Sequence, residues 1–304
     1  MHDVIIVGAG PAGLTAALYC ARFKLQARVF EKFSPGGQIL LSPSIENYPG
    51  FPEGVSTFEL MDKFKNQVES LGLKIETQNI LGVNPEENFY RVKSELEVFE
   101  AKTVIVASGA FSKRLGVAGE EGLIGKGVSY CGTCDGPLFK DKDIAVVGGG
   151  DRALEDAIFL SVYASKVYLI HRRNEFRASG ILVDKARKIP KIEFVLDSIV
   201  EEVAGKTKVS EVKIKNIKTG LNSRIPCQGV FIFVGIEPNT GFIKNILDTN
   251  ETGFIAVNQQ MQTSREGVFA CGDCVKKSLY QVISACAEGA VAADSAHKYL
   301  LKND

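Results

Sequence analysis

Short unbroken apolar runs mark the best-defined strands of the chain: "VIIV" after Asp3, "TVIVASG" at 103–109 and "GVFIFVG" at 229–235. Such runs suit strands covered on both faces, as in parallel sheets, where side chains on either side meet a core. Alternating stretches such as "EVKIKNI" predict strands with one face outward. A helical pattern occupies the region near 57–71, and a long helix rich in small residues is predicted over about 280–301. The stretch "SPGGQILLSPSIENYPGFPEG" at 34–54 reads as turns.

Two of the strands open an internal repeat. "DVIIVGAGPAGLTAAL" from Asp3 and "DIAVVGGGDRALEDAI" from Asp143 match position by position at an offset of 140. Each is an apolar run, a glycine turn and a helical pattern. Gly8, Gly10 and Gly13, with Pro11 and Ala12 between them, form G-x-G-x-x-G. Gly148, Gly150 and Ala153, enclosing Asp151 and Arg152, form the G-x-G-x-x-A variant. The first glycine makes the tight turn, the second admits a pyrophosphate to the backbone, and the third position lets helix approach strand. The helix N-terminus then offers amides and a positive dipole end. One such fingerprint is weak evidence, since glycine turns occur without ligands. Two in register predict an α/β fold of two Rossmann-like dinucleotide-binding domains.

The acidic position distinguishes the copies. "QARVFEK" carries Glu31, 18 residues after Gly13, where a carboxylate can accept from ribose hydroxyls. The equivalent position of the second copy is His171, heading "HRRNEFR" with Arg172, Arg173 and Arg177. Guanidinium forks suit a 2′-phosphate that a carboxylate would repel. Copy one is therefore expected to hold FAD or NAD, and copy two NADP(H). The alternative for "HRR" is a solvated charge run.

Length fits this picture. The 304 residues suit two domains, and the C-terminal tail starts no third fingerprint and is marginal in length for a domain of its own. The tail is expected to complete the first domain, giving 1–113 with 244–304 around an inserted 114–243, with "SKRLGVAGE" and "GIEPNTGF" as the crossing passages. Lys and Arg equal Asp and Glu at 36 each, so no net field recruits nucleic acid or an anionic membrane. No stretch is long enough to span a bilayer. Seven cysteines without a signal-peptide pattern suggest a cytoplasmic protein with reduced or catalytic thiols. Three histidines leave little for a histidine-rich metal site.

The pair in "YCGTCDGPLF", Cys131 and Cys134, admits three readings: a redox couple, half of a metal site completed by Cys271 and Cys274, or small packing residues. Its company of two dinucleotide folds favours the redox couple. Cys271 and Cys274, in "GVFACGDC", read as packing residues at a strand-to-helix turn, and Cys20, Cys227 and Cys286 as core.

Taken together, "GAGPAG", "GGQI", "IENYPGF", "CGTCDG", "GGGD" with "HRRNEFRA", and "GVFACGD" followed by "SACAEGAVAA" resemble the low-molecular-weight, bacterial-type thioredoxin reductases nearly end to end. The resemblance implies a homodimer with an FAD domain in two segments and an inserted NADPH domain bearing a redox-active Cys131–Cys134 disulfide. Electrons would pass from NADPH through FAD and the disulfide to thioredoxin or a similar small dithiol protein. It further implies that Gly8 to Gly13, Glu31 and Lys32 contact the ADP half of FAD. Gly36, Gly37, Gln38 and Asn47 would lie along the flavin, with Gly272, Asp273, Gln281 and Val282 at its ribityl and isoalloxazine side. Cys134 would be the flavin-proximal thiol, Cys131 the one attacking the partner, and Asp135 the nearby acid. The inserted domain would rotate to bring nicotinamide and disulfide alternately to the flavin.

Four features depart from the family's pattern: Tyr280 stands where many relatives have Arg, Arg152 where a small residue is common, Gly132 where Ala is frequent, and a second C-x-x-C is present. Three flavoenzyme alternatives remain at this stage: a ferredoxin-fed thioredoxin reductase, a dithiol oxidase, and a ferredoxin–NADP reductase, which would not need the cysteine pair. A zinc-stapled flavoprotein would use all four C-x-x-C cysteines.

Overall fold

The computed structural model describes residues 1–41 and 44–303. Ser42 and Pro43, in the turn-rich stretch 34–54, and Asp304 lie outside the described residues. The chain divides into two compact units: Met1–Leu40, Val55–Phe111 and Glu237–Asp304 form the first, and Leu41–Gly54 with Ser112–Ile236 the second.

In the first unit, β1 (His2–Val7) leads into α1 (Pro11–Arg22), then β2 (Ala27–Glu31), α2 (Thr57–Ser70), β3 (Ile75–Thr77), β4 (Ile80–Pro85), β5 (Tyr90–Ser94) and β6 (Val98–Val106). The sheet order is β3-β2-β1-β6-β5-β4. β1 lies parallel to β2 and β6, whereas β5 runs antiparallel to β6. Val4 and Ile6 enter one apolar cluster with α1, and Ile5 and Val7 enter another on the opposite face. Burial on both faces is the physical reason the strand reads as a continuous apolar run.

The second unit repeats the plan. After β7 (Val128–Ser129) and the single-turn α3 (Gly132–Asp135) come β8 (Asp143–Gly148), α4 (Asp151–Leu160), β9 (Lys166–Ile170), α5 (Gly180–Arg187) and β10 (Ile192–Val195). The antiparallel strands β11 (Ser198–Ala204), β12 (Glu211–Asn216) and β13 (Asn222–Pro226) follow, and β14 (Gly229–Phe233) returns to the centre. The parallel sheet runs β7-β14-β8-β9-β10. β8, α4 and β9 fall 140 residues after β1, α1 and β2 to within one or two residues. The repeat read in the sequence is thus a repeat of β-turn-α-β structure.

The chain returns to the first unit, where β15 (Val268–Ala270) lies parallel to the end of β6 and α6 (Val282–Asn303) closes the chain. Ala110–Ser112 and Ile236–Pro238, the two passages between units, pair with each other as a two-stranded ribbon. The second passage crosses at 236–237, within the stretch "GIEPNTGF".

Candidate active site

The first glycine turn is built from steric necessity. Gly8 has φ +106°, and a Cβ there would meet the Ala107 carbonyl oxygen at 2.3 Å. A Cβ on Gly13 would lie 1.8 Å from the Gly8 oxygen, so α1 can approach the turn only because that position is bare. Gly10 differs: a Cβ there would meet nothing nearer than Gly36 O at 3.9 Å. It caps α1 without any side-chain hydrogen bond, and Pro11 follows as the first helical residue. The helix therefore presents its N-terminal amides over an open backbone.

Other segments converge there. The Gly36 amide donates to Ala9 O at 2.8 Å, and Gly37, at φ +70°, would place a Cβ 3.4 Å from Gly10 Cα. Glu31 ends β2 with Oε2 accepting from the Ala9 amide at 2.8 Å and Oε1 from the Phe33 amide at 3.1 Å. Each oxygen keeps acceptor capacity for a ribose hydroxyl. On the far side, a Cβ on Gly272 would lie 2.8 Å from Ala12 Cβ, so the turn after β15 sits against the start of α1. Uncapped amides, open glycine backbone and a carboxylate at the strand end fit an unphosphorylated dinucleotide such as FAD.

A half-buried charge network holds the Gly272 turn. Glu288 Oε2 accepts from the Gly272 amide and from Lys277 Nζ, both at 2.8 Å, and Lys277 pairs with Asp273 at 3.1 Å. Burial pulls the Lys277 ammonium down, but Asp273 and Glu288 together outweigh it and hold Lys277 above the ordinary lysine range. Lys277 and Glu288 went unread in the sequence. Glu288 stands inside the quoted "SACAEGAVAA", and only its place in the fold shows its role. Gln281 precedes α6 and Val282 begins it, both half-buried, while Lys32 is exposed. Gln38 is exposed on a 3-10 turn beginning at Gly37, and Asn47 is grouped with the second unit.

The second glycine turn repeats the logic. A Cβ on Gly148 would meet Phe233 O at 2.5 Å and Ala153 Cβ at 2.7 Å, whereas Gly150 is open and caps α4 without a side-chain bond. Asp151 Oδ1 accepts from the Ser179 amide at 2.7 Å, and Gly149 O accepts from the Arg177 amide at 2.8 Å. The arginine loop is thereby tied to the turn. Arg172, Arg173 and Arg177 are exposed. His171 differs from them in burial: its ring is buried, stacks on Phe176, and lies 2.1 Å from where a Cβ on Gly149 would be. Burial holds its pKa below the ordinary histidine value, offset only in part by the Glu175 carbonyl, and the three arginines push the same way. It is a neutral spacer under the turn. The loop fits a phosphorylated ribose through its arginines.

Cys131 and Cys134 form a disulfide and are both partly exposed. The sulfur of Cys131 caps α3, accepting from the Cys134 amide at 3.3 Å, with Thr133 Oγ1 at 3.5 Å. Ser129 Oγ accepts from the Cys131 amide at 3.1 Å. Asp135 is 4% exposed at the end of the same turn. Arg152 directs its guanidinium toward this turn, reaching Tyr130 O at 3.5 Å. Cys271 and Cys274 are wholly buried, and burial pushes both thiols up, Cys274 to about 11. Neither is a thiolate at neutral pH, in keeping with packing residues. Among the described residues no cluster of three or more His, Cys, Asp or Glu is placed to hold a metal ion.

Two glycine turns of the dinucleotide-binding pattern, the second followed by an exposed arginine loop, and a partly exposed C-x-x-C disulfide are the features of an oxidoreductase that works between nucleotides and sulfur. The chain belongs to the pyridine nucleotide-disulphide oxidoreductase family, whose model matches residues 2–289. It is 40% identical to a thioredoxin reductase of Treponema pallidum, over 98% of this chain and 97% of that protein. It is 41% identical to one of Listeria monocytogenes, over 99% and 94%. Among solved structures, a thioredoxin reductase from Streptococcus pyogenes superposes with a TM-score of 0.93 at 42% identity, covering 99% of both chains.

Proposed function

We propose that the chain is an FAD-dependent, NADPH-dependent thioredoxin-disulfide reductase, the reading carried by the Cys131–Cys134 disulfide in a chain with two dinucleotide cradles. The first unit would hold FAD, with Gly8 to Gly13 and Gly36 to Gly37 at the pyrophosphate, Glu31 at the ribose and Asp273 beside the ribityl chain. The second would hold NADPH, with Gly148 to Ala153 at the pyrophosphate and Arg172, Arg173 and Arg177 on the 2′-phosphate. When bound, the flavin supplies two-electron transfer between nicotinamide and sulfur.

The residues of the chain do the rest. The Cys134 amide and the Thr133 hydroxyl stabilise negative charge on the Cys131 sulfur, which suits Cys131 to attack the partner's disulfide. Cys134 is left as the sulfur that takes electrons first. Asp135, next in sequence to Cys134 and buried, would hold a proton for the departing thiolate. The partner is thioredoxin or a similar small dithiol protein. We further infer a homodimer working in the cytoplasm, where five free cysteines remain reduced. Among the described residues no helix is long and apolar enough to cross a membrane.

Anaerobic titration tests the reading: NADPH should bleach the flavin, and added thioredoxin in its disulfide form, itself reduced to the dithiol, should restore the colour. Replacing Arg172, Arg173 and Arg177 together by Ala should raise the KM for NADPH about tenfold or more while changing that for NADH little. Equal loss with both nucleotides would remove the arginines from the 2′-phosphate site.

A further inference from the structure

Two of the positions that depart from the family's pattern, Gly132 and Arg152, meet at one place. Gly132 is the first residue of α3, and a Cβ there would lie 2.5 Å from Asp156 Oδ1 and 2.9 Å from its Cγ. The carboxylate of Asp156 therefore fills the space that any side chain at 132 would need. Asp156 sits one turn beyond Arg152 on α4, and Arg152 Nε lies 3.6 Å from its Oδ2. The same guanidinium reaches the Tyr130 carbonyl at 3.5 Å. Both neighbours of Cys131 are thus engaged by one i,i+4 pair: Tyr130 through its carbonyl, Gly132 through its missing side chain.

We propose that Arg152 and Asp156 are a positioning pair for Cys131, matched to Gly132, and that their opposite charges tune the reactivity of that sulfur in opposite directions. The inference rests on reading Cys131 as the exchanging thiol. An anion beside the turn disfavours a thiolate on Cys131, and a cation on the adjacent carbonyl favours it. The Asp156 side chain is only 13% exposed. Burial pushes its carboxyl up to about 6, Arg152 pulls it down and Glu155 raises it, so at neutral pH and above the carboxylate form prevails. From the α3 side the acid is Asp135. The glycine is the steric counterpart: alanine at 132 would displace the carboxylate and with it the guanidinium.

The test uses the purified flavoprotein without NADPH. Dithiothreitol opens the Cys131–Cys134 bond; two electrons and two protons pass to the cysteines, and the reagent's own sulfurs join in a ring disulfide. After the reagent is removed anaerobically, iodoacetamide alkylates the thiolate with loss of iodide, and mass spectrometry locates the label on Cys131. Asp156→Asn should speed this alkylation about threefold or more at neutral pH, and Arg152→Met should slow it by a similar factor. Gly132→Ala should alter the rate strongly alone but little in an Asp156→Ala background. Shifts of the same sign, no shift, or a Gly132→Ala effect unchanged by Asp156→Ala would overturn the proposal. Because NADPH takes no part, these outcomes are independent of whether NADPH reduces the pair, which the titration above decides.

Discussion

Cys131→Ser is expected to lower turnover with thioredoxin by about three orders of magnitude or more, while NADPH still bleaches the flavin. The two halves of this result follow from where the sulfur sits. A serine hydroxyl in place of Cys131 remains protonated at neutral pH and cannot attack a disulfide, so no mixed disulfide forms. The residues proposed to hold the flavin, Gly8, Gly10, Glu31, Gly37 and Gly272, lie in the first unit, and none of their described contacts involves Cys131. The substitution is nearly isosteric, and the Ser129 hydroxyl still receives the amide of residue 131. The change does open the small Cys131–Cys134 ring, so stability should fall by about 2 kcal/mol or less. A Cys131→Ser protein that reduced thioredoxin at the ordinary rate would remove Cys131 from the exchange step; one that lost its flavin response would mean that the two units are coupled through this turn.

How much of this was legible in the sequence differs by the kind of constraint. Glycines whose Cβ would strike backbone, such as Gly8, Gly13 and Gly148, left a spacing pattern, because no other residue fits. Strands buried on both faces left unbroken apolar runs. Register alone was less informative at His171. It falls opposite Glu31 in the repeat, yet the bare Gly149 lets its ring turn inward while the arginines after it face solvent. Long-range polar contacts left no local pattern at all. Asp156 lies 24 residues from Gly132, and Glu288 lies 16 from Gly272, so only the packing of α4 and α6 reveals them.

Glu120 is the clearest case of a residue the sequence conceals, and Glu120→Ala carries the second large expected effect. In "LGVAGEEG" two adjacent glutamates look alike, within a charged passage read as a crossing segment. Glu121 is exposed and pairs with Arg114 at 2.9 Å on the surface, an interaction of about 0–1 kcal/mol. Glu120 is 2% exposed. Its carboxylate accepts from the amides of Leu115, Gly116 and Val117 at 3.0, 2.8 and 3.4 Å and from the Tyr130 hydroxyl at 2.7 Å. Burial first, and then the bond to Glu120, push the Tyr130 hydroxyl well above the ordinary tyrosine range. Removing the carboxylate strands several buried donors at once, each costing about 1–3 kcal/mol if water cannot reach it. Glu120→Ala should therefore destabilise the second unit by about 3 kcal/mol or more, read as a lower urea midpoint, with Glu121→Ala as the near-neutral control. Glu120→Gln should fall between them, since its amide brings donors into a ring of donors. Tyr130→Phe should cost about 1 kcal/mol. Because Tyr130 is bonded in sequence to Cys131, the same substitutions should also broaden the reactivity of that thiol. Equal midpoints for Glu120→Ala and Glu121→Ala would mean that water enters and satisfies the freed amides, and that the loop is not the anchor of the disulfide turn.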